Sequence, residues 1–316
     1  MAVDALAAQL DAAKLSASEE EEDSVVLIDD VAECKTRLTR LLETKEPVAV
    51  DFEGVDLCRA GKLCVVQLAP RAGSVLLVDV EVLGEAAFGA GRLRELLESP
   101  MVLKIGYDGR ADSDALWHLH GTRLKNVWDV QVRCPWCSSC KPPQNPSSLL
   151  QSRARPRPTW ATSMRPPAAL SYVALLLLCY ATGRLQVAYC TKRDSTLGRG
   201  RDRFVKGLGM ALQDLPSITL AERRRMEALK AAGKKLFAPE LGGSYDVWRA
   251  RPMPAALVAY CALDVKYLHA MRDAWASYVP DHSMRSIVEK RIAKAIGASA
   301  PAKGRQMAIK DWQKDW

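Results

Sequence analysis

Apolar residues alternate with polar or small ones along Pro47-Val48-Ala49-Val50-Asp51-Phe52-Glu53. This period of two predicts a strand with Val48, Val50 and Phe52 on one face and Ala49, Asp51 and Glu53 on the other. Leu63 to Ala69 and Ser74 to Val80 are also β-rich and are separated by turns that contain Gly or Pro, so the three runs read as an antiparallel meander. Beyond them the period lengthens. Gly91 to Glu98 predicts a helix, Met101 to Gly106 a strand, Arg110 to His120 a helix and Asn126 to Val132 a short strand. Helical spacing returns at Phe204 to Leu215, Leu220 to Lys235 and Met253 to Ala276. Strand and helix periods interleave, which makes this an α/β chain.

Composition narrows the class. With 316 residues, 48% of them hydrophobic, the chain can bury a core, and a disordered, collagen-like or disulfide-stapled protein is excluded. The net charge of +8 is unevenly spread, because residues 1–30 hold nine carboxylates against one lysine. That segment reads as an acidic flexible tail, opposite in charge to a secretory or import signal. The rest of the chain carries +16, an electrostatic argument for a polyanionic partner. The longest apolar run, Val173 to Ala181, is far short of the roughly 20 residues that span a bilayer, so no membrane partner is expected. Nine cysteines without an export signal fit free thiols in a reducing compartment, nuclear or cytoplasmic.

One stretch breaks the pattern. Gln131 to Arg193 contains no Asp or Glu but eight of the 17 prolines and five of the nine cysteines. Proline at that density prevents regular helix or central strand, so 133–186 reads as an irregular Pro-rich insertion. It interrupts a domain expected over 31–280, which a basic tail follows at 281–316. Gln131-Val132 and Gln186-Val187 repeat a dipeptide whose codons can spell a splice junction, which makes residues 132–186 a candidate translated intron rather than a true insertion. A zinc site on Cys134, Cys137 and Cys140 is the rival reading, but only the single Cys179 and Cys190 remain to complete it.

Candidate chemistry lies in three groups of carboxylates. Asp51 and Glu53 share a strand face, and like charges there call for a cation between them, a divalent metal being the simplest. On the helix after the next strand, Asp112 shares a face with Leu116 and Leu119 while Asp114 points elsewhere; Asp108 and Asp114 read as acids favoured by the helix dipole. Tyr260 and Asp264 stand four residues apart on the last long helix, which stacks phenol and carboxylate at the edge of an apolar stripe of Leu257, Cys261, Val265 and Leu268. Asp129 reads as a strand-end carboxylate with a capping role. Each pair is common alone, and their order along the chain is what discriminates.

That order resembles the three exonuclease motifs of the ribonuclease D and Werner-type 3′–5′ exonucleases, the DEDD superfamily with a tyrosine in its third motif. The resemblance covers Pro47 to Val132 and Val187 to Trp275. Asp51-Phe52-Glu53-Gly54-Val55-Asp56-Leu57 is similar to the Egalitarian-like exonuclease-domain branch, and Trp248-Arg249-Ala250-Arg251-Pro252-Met253 resembles the segment that precedes the tyrosine helix. The family implies a ribonuclease H-like fold, with a mixed central sheet flanked by helices, and two-metal phosphodiester hydrolysis at nucleic-acid 3′ ends. By that resemblance Asp51, Glu53 and Asp264 would hold one Mg²⁺ or Mn²⁺, and Asp51 with Asp112 the second, while Tyr260 would orient the attacking water. RNA is favoured over single-stranded DNA as partner, and Arg110, Lys206, Arg249 and Arg251 are the candidate phosphate contacts. One departure and one alternative matter. Tyr107 stands where ribonuclease D-like members usually carry a histidine, and some Egalitarian-like relatives lack the metal-binding carboxylates and serve as RNA-binding adaptors. All four are present here, so the adaptor is the alternative reading.

Overall fold

The computed structural model describes residues 24–133, 207–276 and 281–301. Residues 1–23 of the acidic tail, the expected insertion from residue 134 onward with its cysteines, and Lys206 lie outside the described residues. In chain order the elements are β1 (Val25–Ile28), α1 (Val31–Thr44), β2 (Val48–Val55), β3 (Lys62–Pro70), β4 (Val75–Asp79), α2 (Val80–Leu83), α3 (Glu85–Phe88) and α4 (Leu93–Glu98). They continue as β5 (Lys104–Gly106), α5 (Arg110–His120), β6 (Val127–Asp129), α6 (Val130–Arg133), α7 (Leu208–Leu212) and α8 (Leu220–Phe237). After two short 3₁₀ turns, Pro239–Leu241 and Tyr245–Arg249, come α9 (Ala255–Lys266), α10 (Leu268–Trp275) and α11 (Asp281–Gly297).

Six strands form one mixed sheet in the order β1-β4-β3-β2-β5-β6. The expected meander is its middle: β2 and β3 pair antiparallel, as do β3 and β4. The β1, β5 and β6 pairings are parallel, as short strands reached by helical crossovers should be. β3 is buried without interruption from Leu63 to Ala69, so helices cover both faces of the sheet. β2 keeps the alternation read from its sequence, with Phe52 buried and Asp51 and Glu53 half-buried on the opposite face. No helix among the described residues is long and apolar enough to cross a membrane.

The structure differs from the sequence reading at both ends of the domain. Val25-Val26-Leu27-Ile28 is an edge strand on β4, hidden in the sequence by the acids around it, and Asp30 caps α1 by accepting from the Glu33 amide at 2.8 Å. At the other end, the segment expected as a basic tail begins with α11, whose Met284, Val288 and Ile292 form a buried i, i+4, i+8 stripe against α5 and β6. The helix expected over 253–276 is interrupted at Tyr267, which divides α9 from α10. Phe204 to Leu215 shortens to α7 among the described residues.

A bulge shapes the active strand. Glu53 faces Val65 but Gly54 faces Leu63, leaving Cys64 as the extra residue on β3 immediately beside Glu53. Only glycine fits at 54, because a Cβ there would lie 1.9 Å from the Lys62 carbonyl oxygen. Gly54→Ala should therefore force the strands apart and destabilise the domain by about 1–3 kcal/mol, the usual range for overpacking. Urea unfolding of the variant measures it, and an unchanged midpoint would contradict the close approach.

Candidate active site

Two elements bring the carboxylates together. β2 sits between β3 and β5, so Asp51 and Glu53 project from the middle of the sheet, and α9 crosses β2 with Tyr260 and Asp264 one turn apart on the side that meets them. Asp51, Glu53 and Asp264 each offer a carboxylate oxygen within 4.8 Å of the others. Asp112, in the first turn of α5 directly after β5, lies outside that triad but close enough that its charge and those of Asp51 and Glu53 act on one another. All five residues singled out from the sequence thus converge, and Asp114 does point away, paired with Arg59 at 2.6 Å.

Electrostatics define what the site lacks. Burial, reinforced by Asp264, pushes the Asp51 carboxyl up to about 8. Glu53 is held well above the usual carboxylate range by burial and then by Asp51, Asp264 and Asp112. Burial likewise raises Asp112, with Asp51, Asp108 and Asp129 adding to it, and raises Asp264 against the opposing charge of Lys230. Oδ2 of Asp264 is buried with no hydrogen-bond partner. Crowded acceptors, an orphaned carboxylate oxygen and hard oxygen donors together fit a divalent cation such as Mg²⁺ or Mn²⁺. Tyr260 is raised by burial and then by Asp264, Glu53 and Asp51, so it stays a neutral phenol able to donate a hydrogen bond.

One residue of the site escaped the sequence reading. Lys230 of α8 donates to Asp264 Oδ1, and its Nζ stands 3.7 Å above the centre of the Tyr260 ring. Nothing distinguishes it in the sequence from Lys234 and Lys235 on the same helix. An aromatic group closes the other side of Tyr260: Phe237 meets it edge-on at 5.3 Å, Trp248 at 6.3 Å, and the exposed Tyr245 stacks on Phe237 at 6.2 Å.

The candidate phosphate contacts fare unequally. Arg249 is exposed and pairs with Glu81 at 3.3 Å. Arg251 binds Asp79, and Arg110 is buried with its Nε 2.6 Å from Asp108. Asp108 belongs to a network in which Arg291 of α11 pairs with Asp129 at 2.7 Å and reaches Gln131 at 2.9 Å. Asp129 also accepts from the amides of Asp108 and Gln131, both at 2.9 Å, so it fixes the chain on either side of α5 rather than joining the triad. Lys104, eight residues before Asp112, is fully buried and donates to the carbonyls of Leu96, Ser99 and Val102.

A six-stranded mixed sheet with helices on both faces, here with an acidic cluster on its central strand, is a ribonuclease H-like fold. Residues 25–141 match the family model described as 3′-5′ exonuclease. Over 119 residues the chain is 38% identical to the piRNA biogenesis protein EXD1 of Mus musculus, a stretch covering 38% of this chain and 20% of that protein. The Bombyx mori protein of the same name is 33% identical over 91 residues, covering 29% and 28% of the two chains. The chain thus spans only 20% to 28% of the length of these curated relatives. Among solved structures, Trypanosoma brucei RNase D in complex with RNA U12 superposes with a TM-score of 0.59 at 17% identity, covering 95% of this chain and 81% of that one. The GMP complex of the same enzyme gives 0.58 at 18% identity, over 92% and 71%. Residues 25–141 thus resemble the 3′-5′ exonuclease family in sequence, and the described residues resemble RNase D in fold.

The raised carboxyls set the sign of a pH effect. A carboxyl whose folded pKa lies above its unfolded value binds its proton more tightly when folded, so the metal-free protein should lose stability as pH climbs from about 4 to about 8. Asp51→Asn removes one participant and should melt several degrees above wild type near pH 8 in EDTA, since about 1 kcal/mol moves the midpoint by roughly 2–4 °C in a domain of this size. Thermal unfolding across that pH range checks it, and a wild type that gains stability toward pH 8 would refute the cluster's repulsion.

Proposed function

We propose that the chain is a divalent-metal-dependent 3′–5′ exonuclease that hydrolyses phosphodiester bonds at nucleic-acid 3′ ends, with RNA favoured over DNA. The observation that carries this reading is the convergence of Asp51, Glu53 and Asp264 within 4.8 Å, with Asp112 and Tyr260 beside them. Asp51, Glu53 and Asp264 would hold one Mg²⁺ or Mn²⁺, and Asp51 with Asp112 a second. When bound, such ions supply the positive charge that polarises the scissile phosphate and eases departure of the 3′-oxygen. The rest falls to the chain's own groups. Tyr260, a neutral phenol, donates a hydrogen bond that orients the attacking water and leaves proton removal to other groups.

The path for the nucleic acid follows from exposure. Arg110 and Arg251 are committed to internal ion pairs, so we assign them to holding the site's frame. Arg249, and Arg224, Arg225 and Lys235 on α8, are exposed and suit phosphate contact. Tyr245 presents a ring on which a base can stack, a contact worth about 1–3 kcal/mol. RNA is favoured because the relatives are named for piRNA biogenesis and the RNase D of like fold was solved with RNA. An RNA-binding adaptor is the second reading, favoured by one observation: Lys230 already supplies a cation to Asp264.

Purified protein incubated with 3′-protected and 3′-free end-labelled RNA and DNA, in Mg²⁺, Mn²⁺ or EDTA, separates the two. We expect stepwise shortening of 3′-free strands that needs the metal, runs faster on RNA, and falls to background in the Asp51→Asn, Glu53→Gln double variant. Retardation of the probe without shortening would give the adaptor reading the advantage, and shortening retained by the double variant would overturn the site.

A further inference from the structure

Helix α8 is built around the third motif. At Gly233 an added Cβ would lie 2.6, 2.8 and 2.9 Å from Cδ2, Cβ and Cγ of Tyr260, so only a glycine lets the helix approach the phenol this closely. Lys230, one turn earlier on the same face, lays its Nζ 3.7 Å over that ring and donates to Asp264 Oδ1. A single ammonium therefore touches both the phenol and the carboxylate of the motif. It satisfies one oxygen of Asp264 and leaves Oδ2, buried, with no hydrogen-bond partner. Among the described residues, its positive charge is the one in contact with the triad of carboxylates, beside the nearby Asp112.

We infer that Lys230 is a positioning residue that acts as a tethered cation: it holds Asp264 and Tyr260 in place in the metal-free protein and competes with the divalent ion for Asp264. This deepens the metal-site reading above and rests on it. Its ammonium is a like charge within a few ångströms of any ion that the triad holds, so it weakens binding of that ion while stabilising the metal-free fold. The two effects have opposite signs, which a purely structural lysine would not produce. Loss of a structural contact would lower stability and leave metal binding unchanged or weaker. The lysine thereby sets a threshold of metal concentration below which the carboxylates stay neutralised from within.

Titration calorimetry of the full chain with Mn²⁺ alone, beside thermal unfolding in EDTA, tests this. Lys230→Met keeps the apolar stem over the ring and removes the charge. It should lower the Kd for Mn²⁺ at least about tenfold, a conservative figure for removing a like charge this near, and lower the metal-free melting temperature. Lys230→Gln, neutral with a polar end, should do the same, and keeps the test open if the methionine variant does not fold. Lys230→Arg should stay within about threefold of wild type in affinity. Unchanged or weaker Mn²⁺ binding in both neutral variants would overturn the inference while leaving the metal site intact. Should the Asp51→Asn, Glu53→Gln variant bind Mn²⁺ as wild type does, the metal-site reading itself fails, and this inference with it.

Discussion

Repulsion among carboxylates that the fold holds together is the constraint on which the site depends. Asp51, Glu53 and Asp264 come within 4.8 Å in a half-buried setting where water screens poorly, and Asp112 adds its charge from the side. A fold would shed such an arrangement unless something positive repaid it. Among the described residues Lys230 is the cation in direct contact with the triad, and it reaches only one oxygen of Asp264. The remaining deficit is what the proposed divalent ion would fill.

Much of the rest of the domain can be understood as scaffolding for that deficit. The sheet holds β2 between two hydrogen-bonded neighbours, so the two carboxylates of the first motif cannot drift apart. Behind α5, a buried set of ion pairs joins Asp108, Arg110, Asp129 and Arg291, and Arg59 grips both Asp114 and the carbonyls of Ala295, Ile296 and Ala298 at the end of α11. Helix α11 thereby locks the helix that carries Asp112. Buried pairs of this kind add little net stability, but breaking one leaves an uncompensated charge, so they specify one arrangement sharply. Helix α8 adds a lysine and a glycine shaped to the tyrosine.

How far the site could be read in advance varies with the origin of the signal. Asp51 and Glu53 were legible because a strand's two-residue period puts them on one side whatever else the chain does, and Tyr260 and Asp264 because a helix stacks positions four apart. The edge strand at Val25–Ile28 and the helix at Asp281–Gly297 were masked by the charges of their surroundings: composition averaged over a tail conceals a short apolar run or a stripe of every fourth residue. The arginines chosen as phosphate contacts show the same limit in reverse, since a guanidinium looks alike in sequence whether it faces solvent, as Arg249 does, or Asp79, as Arg251 does.

The amino-acid sequence by itself determined the α/β class, the meander at the heart of the sheet and five candidate residues that the fold then draws together, because local period and motif order are properties of the chain alone. Only the tertiary structure decided that Lys230 belongs among them, that Asp129 serves the frame instead, and which arginines remain available to a ligand. These depend on distances between residues 34 to 172 positions apart, set by how α8, α11 and the sheet pack, and no local pattern encodes such a distance.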